Sequence, residues 1–169
     1  MFRRADPLGG ILEANYIEIM LQSLLKKKRL LEQIIELNKE QKLMLQDPNL
    51  DVDDFEQNMN RKGRIIDDVN LLDDGFEQLY ARVKEELNLH KDQYADQIRK
   101  MQDTIRELSA LHVSIETQEQ RNKVLVEQKF DTVRKQVKSV RNSQKVVKQY
   151  YDNMVKLNQA VPQYVDDKK

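Results

Sequence analysis

An acidic run containing Asp51, Asp53 and Asp54 is the first group in the chain whose residue types could do chemistry, because carboxylate oxygens are the ligands that calcium prefers. The calcium-binding loop also needs an oxygen-bearing side chain at its fifth position and glycine at its sixth. Counted from Asp51, those positions hold Phe55 and Glu56. We therefore predict that Asp51 caps the N-terminus of a helix, where the helix dipole favours negative charge, and that no calcium is bound.

The two histidines, His90 and His112, are the other candidates for acid–base or metal chemistry. His90 falls in a predicted turn, and His112 falls on the apolar stripe of a predicted helix, where histidine is usually a packed core residue. The chain has no cysteine, which excludes disulfides, thiolate metal sites and thiol nucleophiles. It also lacks a glycine-rich phosphate loop and a nucleophile elbow. We therefore expect no enzymatic activity, no metal and no cofactor.

Basic residues concentrate in one part of the chain. Residues 120–157 hold 10 Lys and Arg against 3 Asp and Glu, a net charge of +7, whereas residues 1–119 hold 17 against 24, a net charge of −7. A basic run can lie along phosphates, but the acidic remainder would repel a duplex and no DNA-reading motif accompanies the run. The leucine-rich run that begins at Ile17 is broken by four basic residues from Lys26 to Arg29. We expect neither nucleic-acid binding nor membrane insertion, and a cytoplasmic location.

The composition predicts helices rather than sheets, with 34% charged and 39% hydrophobic residues but only 4 glycines and 3 prolines among 169 residues. Helix 1 is predicted at about 11–46, before Pro48 ends it, and helix 2 at about 51–87. Residues 1–157 are predicted to form one elongated domain, followed by a flexible tail at 158–169. The apolar stripes that would face the core are Ile17, Leu21, Leu24, Leu31 and Leu45 in helix 1 and Phe55, Met59, Ile66, Val69, Phe76, Tyr80, Val83 and Leu87 in helix 2.

The segment 92–155 runs for 64 residues without proline or glycine, and its apolar residues recur at spacings of three and four. We predict a third helix over this whole segment, with a stutter in the repeat between Asn122 and Phe130. At about 1.5 Å per residue, helices 1 and 2 would each span about 55 Å and helix 3 about 95 Å. The predicted fold is therefore all-α: three long helices in an elongated antiparallel bundle or coiled coil, with the third helix overhanging the hairpin of the first two.

The overhanging half of helix 3 carries an apolar stripe that the rest of this predicted fold would leave uncovered, so it needs a partner, a second copy or a refolded conformation. A groove for another protein's amphipathic helix is one interpretation, and the core of a homodimeric coiled coil is the other. The stripe residues that we predict to bind the partner are Phe130, Val133, Val137, Val140, Val147, Tyr151 and Met154.

Short segments between Ile17 and Met154 carry a family likeness. They are Leu37, Glu40, Gln41 and Lys42; Leu50, Asp51, Asp54 and Phe55; Lys62, Ile65 and Ile66; Leu72, Asp73, Gly75 and Phe76, followed by Leu79 and Tyr80; and Ile115, Glu119, Asn122 and Val126 to Phe130. On these residues the chain resembles the FlgN-type flagellar export chaperones, in the form found in Gram-positive bacteria.

The resemblance implies a small cytoplasmic protein that holds hook-associated proteins, those of the hook–filament junction, unassembled and delivers them to the flagellar type III export apparatus. The family binds the helical termini of these clients through its C-terminal region, so the stripe residues above become the expected client-binding site. Two alternatives stay open: a structural homodimeric coiled-coil protein, and a chaperone for the filament cap or for flagellin.

Overall fold

The computed structural model describes the backbone of residues 7–136 and 140–159 and the side chains of residues 13–131 and 144–159. Regular structure in this part of the chain is entirely helical: α1 (Pro7–Gln46), α2 (Val52–Leu89), α3 (Ala95–Gln136) and α4 (Val140–Gln159). The predicted all-α class is confirmed. Of the predicted tail, residues 160–169 lie outside the described residues, whereas 158 and 159 belong to the end of α4.

The connection from α1 to α2 forms as the sequence predicts. Asp51 is the N-cap of α2, and its Oδ1 accepts a hydrogen bond of 2.9 Å from the backbone N–H of Asp53. This bond satisfies a helix N-terminal donor that has no partner within the helix. Asp47 makes a similar turn bond, because its Oδ1 accepts from the backbone N–H of Asn49 at 2.9 Å. The acidic run is therefore a capping and turn segment.

Helix α1 packs along both α2 and α3. Helices α1 and α2 are antiparallel. Lys27 of α1 pairs with Asp73 of α2, whereas Tyr16, nearer the start of α1, accepts a hydrogen bond from Arg82, nearer the end of α2. A first core lies where the three helices meet. Its most deeply buried side chains include Leu24, Leu31, Ile34, Ile66, Val69, Val83 and Leu108. Most of the predicted stripe is buried, but Tyr80 is 39% exposed.

The structure corrects the prediction of one unbroken helix over 92–155. Helix α3 is described as far as Gln136, and a separate helix, α4, returns along it: Tyr151 bonds to Glu127, and Tyr150 bonds to Glu119. Helix α4 packs against α2 and α3. Of the C-terminal apolar stripe, Phe130 is thus buried, and Val147 and Met154 are half-buried, by the chain's own helices.

A second core explains why the chain folds back. The rings of Phe55 and Phe130 lie with their centroids 5.7 Å apart, and Val146 and Tyr150 of α4 are buried beside them. Burying a large apolar side chain stabilises a fold by about 1.5–3 kcal/mol, so an uncovered stripe is unfavourable when its own hairpin can bury it.

Candidate functional site

Helix α4 lies in the valley between α2 and α3. Along the α2 side of this valley, Lys145 pairs with Glu56 at 3.3 Å and Lys156 pairs with Asp67 at 3.1 Å. The two helices run in the same direction, because both positions advance together. Two basic residues of the positively charged segment seen in the sequence thus pair with acidic residues of α2.

One close contact between α4 and α2 is at a glycine. A Cβ added to Gly63 would lie 3.0 Å from Oδ1 of Asn153. Asn153 is held there by its Nδ2, which donates to the backbone carbonyl of Met59 at 3.1 Å. Because Gly63 has no side chain, the side-chain amide of Asn153 can contact the α2 backbone directly.

A polar layer, formed by Lys62, Glu119 and Tyr150, ties α2, α3 and α4 together between the two cores. Lys62 is 0% exposed and its ammonium group bonds to Glu119. The Tyr150 hydroxyl donates to Oε2 of the same carboxylate at 2.8 Å, and the Lys62 ammonium nitrogen lies 5.3 Å from the Tyr150 ring centroid. Burial lowers the pKa of Lys62 and raises the pKa of the Tyr150 hydroxyl.

Buried amides extend the polar layer to α1. Asn38 Nδ2 donates to Gln118 Oε1 at 3.1 Å, and Asn122 Nδ2 donates to the Asn38 carbonyl at 3.0 Å. Asn58 of α2 donates to the carbonyl of Leu37 at 3.1 Å. Such bonds are satisfied in only one alignment of the helices, so the layer fixes their register.

The polar layer holds a lysine of lowered pKa, which is a property of lysines that form Schiff bases. Lys62 is fully buried and bonded to Glu119, however, so its ammonium group is closed to a substrate. We assign it to the joining of the helices.

His112 is a half-buried titratable group. Burial, together with the nearby charge of Lys27, lowers the pKa of His112 to about 4, and its Nε2 is buried without a hydrogen-bond partner. Lys27 itself pairs with Asp73 at 2.7 Å, and burial lowers the pKa of Lys27 and raises that of Asp73. The imidazole is therefore neutral near pH 7. Within the described ranges, no group of three or more histidine, aspartate or glutamate side chains is placed to hold a metal ion.

The structure brings together four of the seven predicted site residues. Phe130 is 1% exposed, so the expectation that it contacts a partner directly is corrected: its ring fills the second core. Val147 and Met154 are half-buried and pack against that core. Tyr151 is 36% exposed, and its hydroxyl bonds to Glu127.

The other three predicted site residues are less fully placed. Val133 lies in α3 and Val140 is the first residue of α4, but the side chains of both lie outside the described part. Val137 lies outside the described residues altogether.

A partly exposed apolar strip remains on α4, on the side where Tyr151 meets α3. This strip, here called the α4 edge, consists of the half-buried Val147 and Met154 and the exposed Tyr151 and Val155, of which Val155 is 57% exposed. On α3, Val124 lies one turn before Glu127, the partner of Tyr151, and is 50% exposed. Val155 was not among the predicted residues, because periodicity alone does not distinguish the centre of a buried stripe from its border.

Among the helices that the structure describes, none combines the length and the apolarity that a bilayer crossing requires. No family model, no curated protein and no solved structure matches the chain. The proposed function is therefore inferred from the residues of this chain.

Proposed function

We propose that the protein is a cytoplasmic flagellar export chaperone that binds the helical terminus of a hook-associated protein, prevents its premature assembly and delivers it to the type III export apparatus. In this proposal the elongated antiparallel bundle is the frame and the α4 edge is the client-binding surface. Binding alone accomplishes the task, so neither a reaction nor a cofactor is involved.

The α4 edge is the observation that carries the proposal. Val147, Tyr151 and Met154 follow one another at spacings of four and three, which are the spacings by which one amphipathic helix contacts another. Tyr151 also carries a large ring with few rotatable bonds, a property of residues that dominate binding energies. A client helix laid along this edge would cover apolar surface on both partners.

In this proposal the predicted site residues have two different roles, support of the surface and contact with the client. Phe130 supports the surface from beneath, since its ring is buried against Phe55. Val147, Tyr151 and Met154 contact the client, with Val155 added from the structure. Val133, Val137 and Val140 remain part of the proposed surface as the sequence predicted it.

The family resemblance supports the identity of the client. Hook-associated proteins present helical termini that are apolar on one side while they are unassembled, and such termini need a cover until export. The ordering of a mobile terminus on binding lowers the affinity per unit of buried area, which keeps release feasible.

Measurement of the mass in solution tests the proposal. The full chain alone should be a monomer, and an equimolar mixture with a hook-associated protein should give a one-to-one complex. A tight dimer that persists at nanomolar concentration and ignores the client would instead identify a structural coiled-coil protein. Complex formation with flagellin or the filament cap, but not with the junction proteins, would reassign the client.

A further inference from the structure

In the part of the chain that the structure describes, α4 fills the valley between α2 and α3 over only part of its length. The described contacts of α4 reach Lys156, which pairs with Asp67, and Leu157, which joins the first core. Beyond this level α2 continues to Leu89 and α3 lies opposite it. The open part of the valley is therefore a direct continuation of an established helix–helix interface.

The floor of the open part is apolar. A cavity of about 530 Å³ lies between the two helices, with Met20 of α1 among its lining residues. Phe76 and Leu87 line it from α2, and Met101 and Ile105 line it from α3. The fourth position of the bundle, which α4 takes at the other end, is thus preformed here as well.

The α2 rim of the open part is acidic at the end next to α4. The residues of α2 that face α4 are Glu56, Asn60, Gly63 and Asp67, at helical spacings of three and four. Extended by further steps of the same kind, the row continues through Asn70, Asp74, Glu77, Ala81 and Lys84 to Asn88. Its acidic residues thus lie next to α4, whereas Lys91 and Arg99 line the cavity at the far end together with Asn88. Asp74 and Glu77 are exposed.

The way α4 binds indicates what would fit beyond it. Lys145 and Lys156 of α4 pair with Glu56 and Asp67 of α2, while its apolar side chains face the valley floor. We propose that the open part of the valley is a docking site for a partner protein's amphipathic helix that has an apolar face and, at the end next to α4, cationic residues that face Asp74 and Glu77 of α2. This site is separate from the α4 edge, and the inference does not rest on the proposed function.

A synthetic peptide can serve as the probe. The open part, from the level of Asn70 to that of Asn88, corresponds to a helix of about 18 residues, or about 27 Å. The probe is a peptide of that length with leucines at helical spacing and lysines along one flank, and its twin carries glutamates in place of the lysines. One tryptophan on the apolar face of each peptide gives a specific signal, because the protein has no tryptophan.

Photo-crosslinking locates the bound peptide. The chain has no cysteine, so Gln102→Cys in the full chain attaches a benzophenone group to a single side chain that lines the cavity. The lysine peptide should crosslink there and should bind more tightly than its glutamate twin. Reversal of the rim charges, Asp74→Lys with Glu77→Lys, should weaken the lysine peptide roughly tenfold and reverse the order of the two peptides.

A matched charge reversal on α1, at residues that do not line the cavity, serves as the control. Glu32→Lys with Glu36→Lys changes the net charge equally but alters α1, and it should leave the order of the peptides unchanged. Equal binding of the two peptides, or an equal effect of the two reversals, would overturn the proposal. Crosslinks from position 102 to residues 160–169 of the same chain, or to a second copy, would also overturn it, because the occupant would then be the protein itself.

Discussion

Asn153 of α4 rests against the backbone of α2 at Gly63, so closely that a Cβ on residue 63 would lie 3.0 Å from the amide oxygen. Gly75, in the same helix, has no atom within 4 Å of the corresponding Cβ position. Neither glycine has a positive φ, so alanine can adopt both backbone conformations. Alanine substitutions at the two positions therefore distinguish the effect of helix propensity from the effect of the contact between Asn153 and residue 63.

The first prediction compares Gly63→Ala with Gly75→Ala. Alanine gains about 1 kcal/mol over glycine within a helix, and Gly75→Ala should show this gain in urea unfolding. Gly63→Ala should be less stable than Gly75→Ala by about 1–2 kcal/mol, because Asn153 must give up its bond to the Met59 carbonyl. Hydrogen exchange in α4 should accelerate only in Gly63→Ala. Equal stabilisation by both changes would mean that α4 does not need the glycine.

The second prediction concerns the Tyr150 hydroxyl, which donates to Glu119 at 2.8 Å. Tyr150→Phe leaves a buried carboxylate with one hydrogen bond fewer and should cost about 1–3 kcal/mol of unfolding free energy. Tyr151→Phe is the matched control, since its hydroxyl bonds to an exposed carboxylate, and it should change stability by less than about 0.5 kcal/mol. A similar small effect of both variants would show that the polar layer does not hold α4.

The third prediction is a double-mutant cycle on Lys62 and Glu119. Lys62→Met should cost about 3–5 kcal/mol, because it leaves a buried charge without its partner. Combination with Glu119→Gln should recover about 1–3 kcal/mol relative to the sum of the single changes. The exposed pair Arg106 and Asp103, at 3.1 Å, should show a coupling below about 0.5 kcal/mol in the same cycle. Additive effects at Lys62 and Glu119 would contradict a buried ion pair.

The fourth prediction is a pH dependence caused by His112. Its pKa is about 4 in the folded protein against 6.5 ordinarily, so between these pH values the unfolded chain binds more protons. The stability that the neutral imidazole contributes is therefore complete above pH 6.5 and is lost as the pH falls toward 4, by on the order of 3 kcal/mol.

Comparison of the wild type with His112→Gln isolates this contribution from that of the carboxyl groups, which titrate in both proteins. The difference in unfolding free energy between them should change with pH from 6.5 to 4 and should be constant above 6.5. A difference that stays constant through the acid range would show that His112 is protonated as readily in the folded protein as in the unfolded chain.

The sequence predicted what local rules determine. The apolar spacing of Phe55, Met59 and Ile66 places them in the cores, and the Asp51 cap forms as expected. The return of α4 was not predictable from local rules, because no proline or glycine marks it and because the gain comes from contacts distant in sequence, such as that of Phe130 with Phe55.

Polar residues that interrupt the apolar repeats mark the polar layer in the sequence. Glu119 and Asn122 interrupt the repeat of the predicted third helix, and Asn38 interrupts that of the first. The structure buries all three residues together, so the interruptions mark one shared layer. Periodicity also selected Tyr151 and Met154 as binding residues, which stays a prediction, and only packing shows which side of α4 is exposed.

Calorimetric titration of the full chain with the helical terminus of a hook-associated protein tests most directly the proposal that the α4 edge binds a client helix. Tyr151→Asp with Val155→Asp should weaken binding about tenfold or more, because both side chains are exposed on that edge and would place charge against the client's apolar face. Leu43→Asp, on α1 and 70% exposed, should bind like the wild type. Wild-type affinity in the double variant, or equal weakening by Leu43→Asp, would contradict the account.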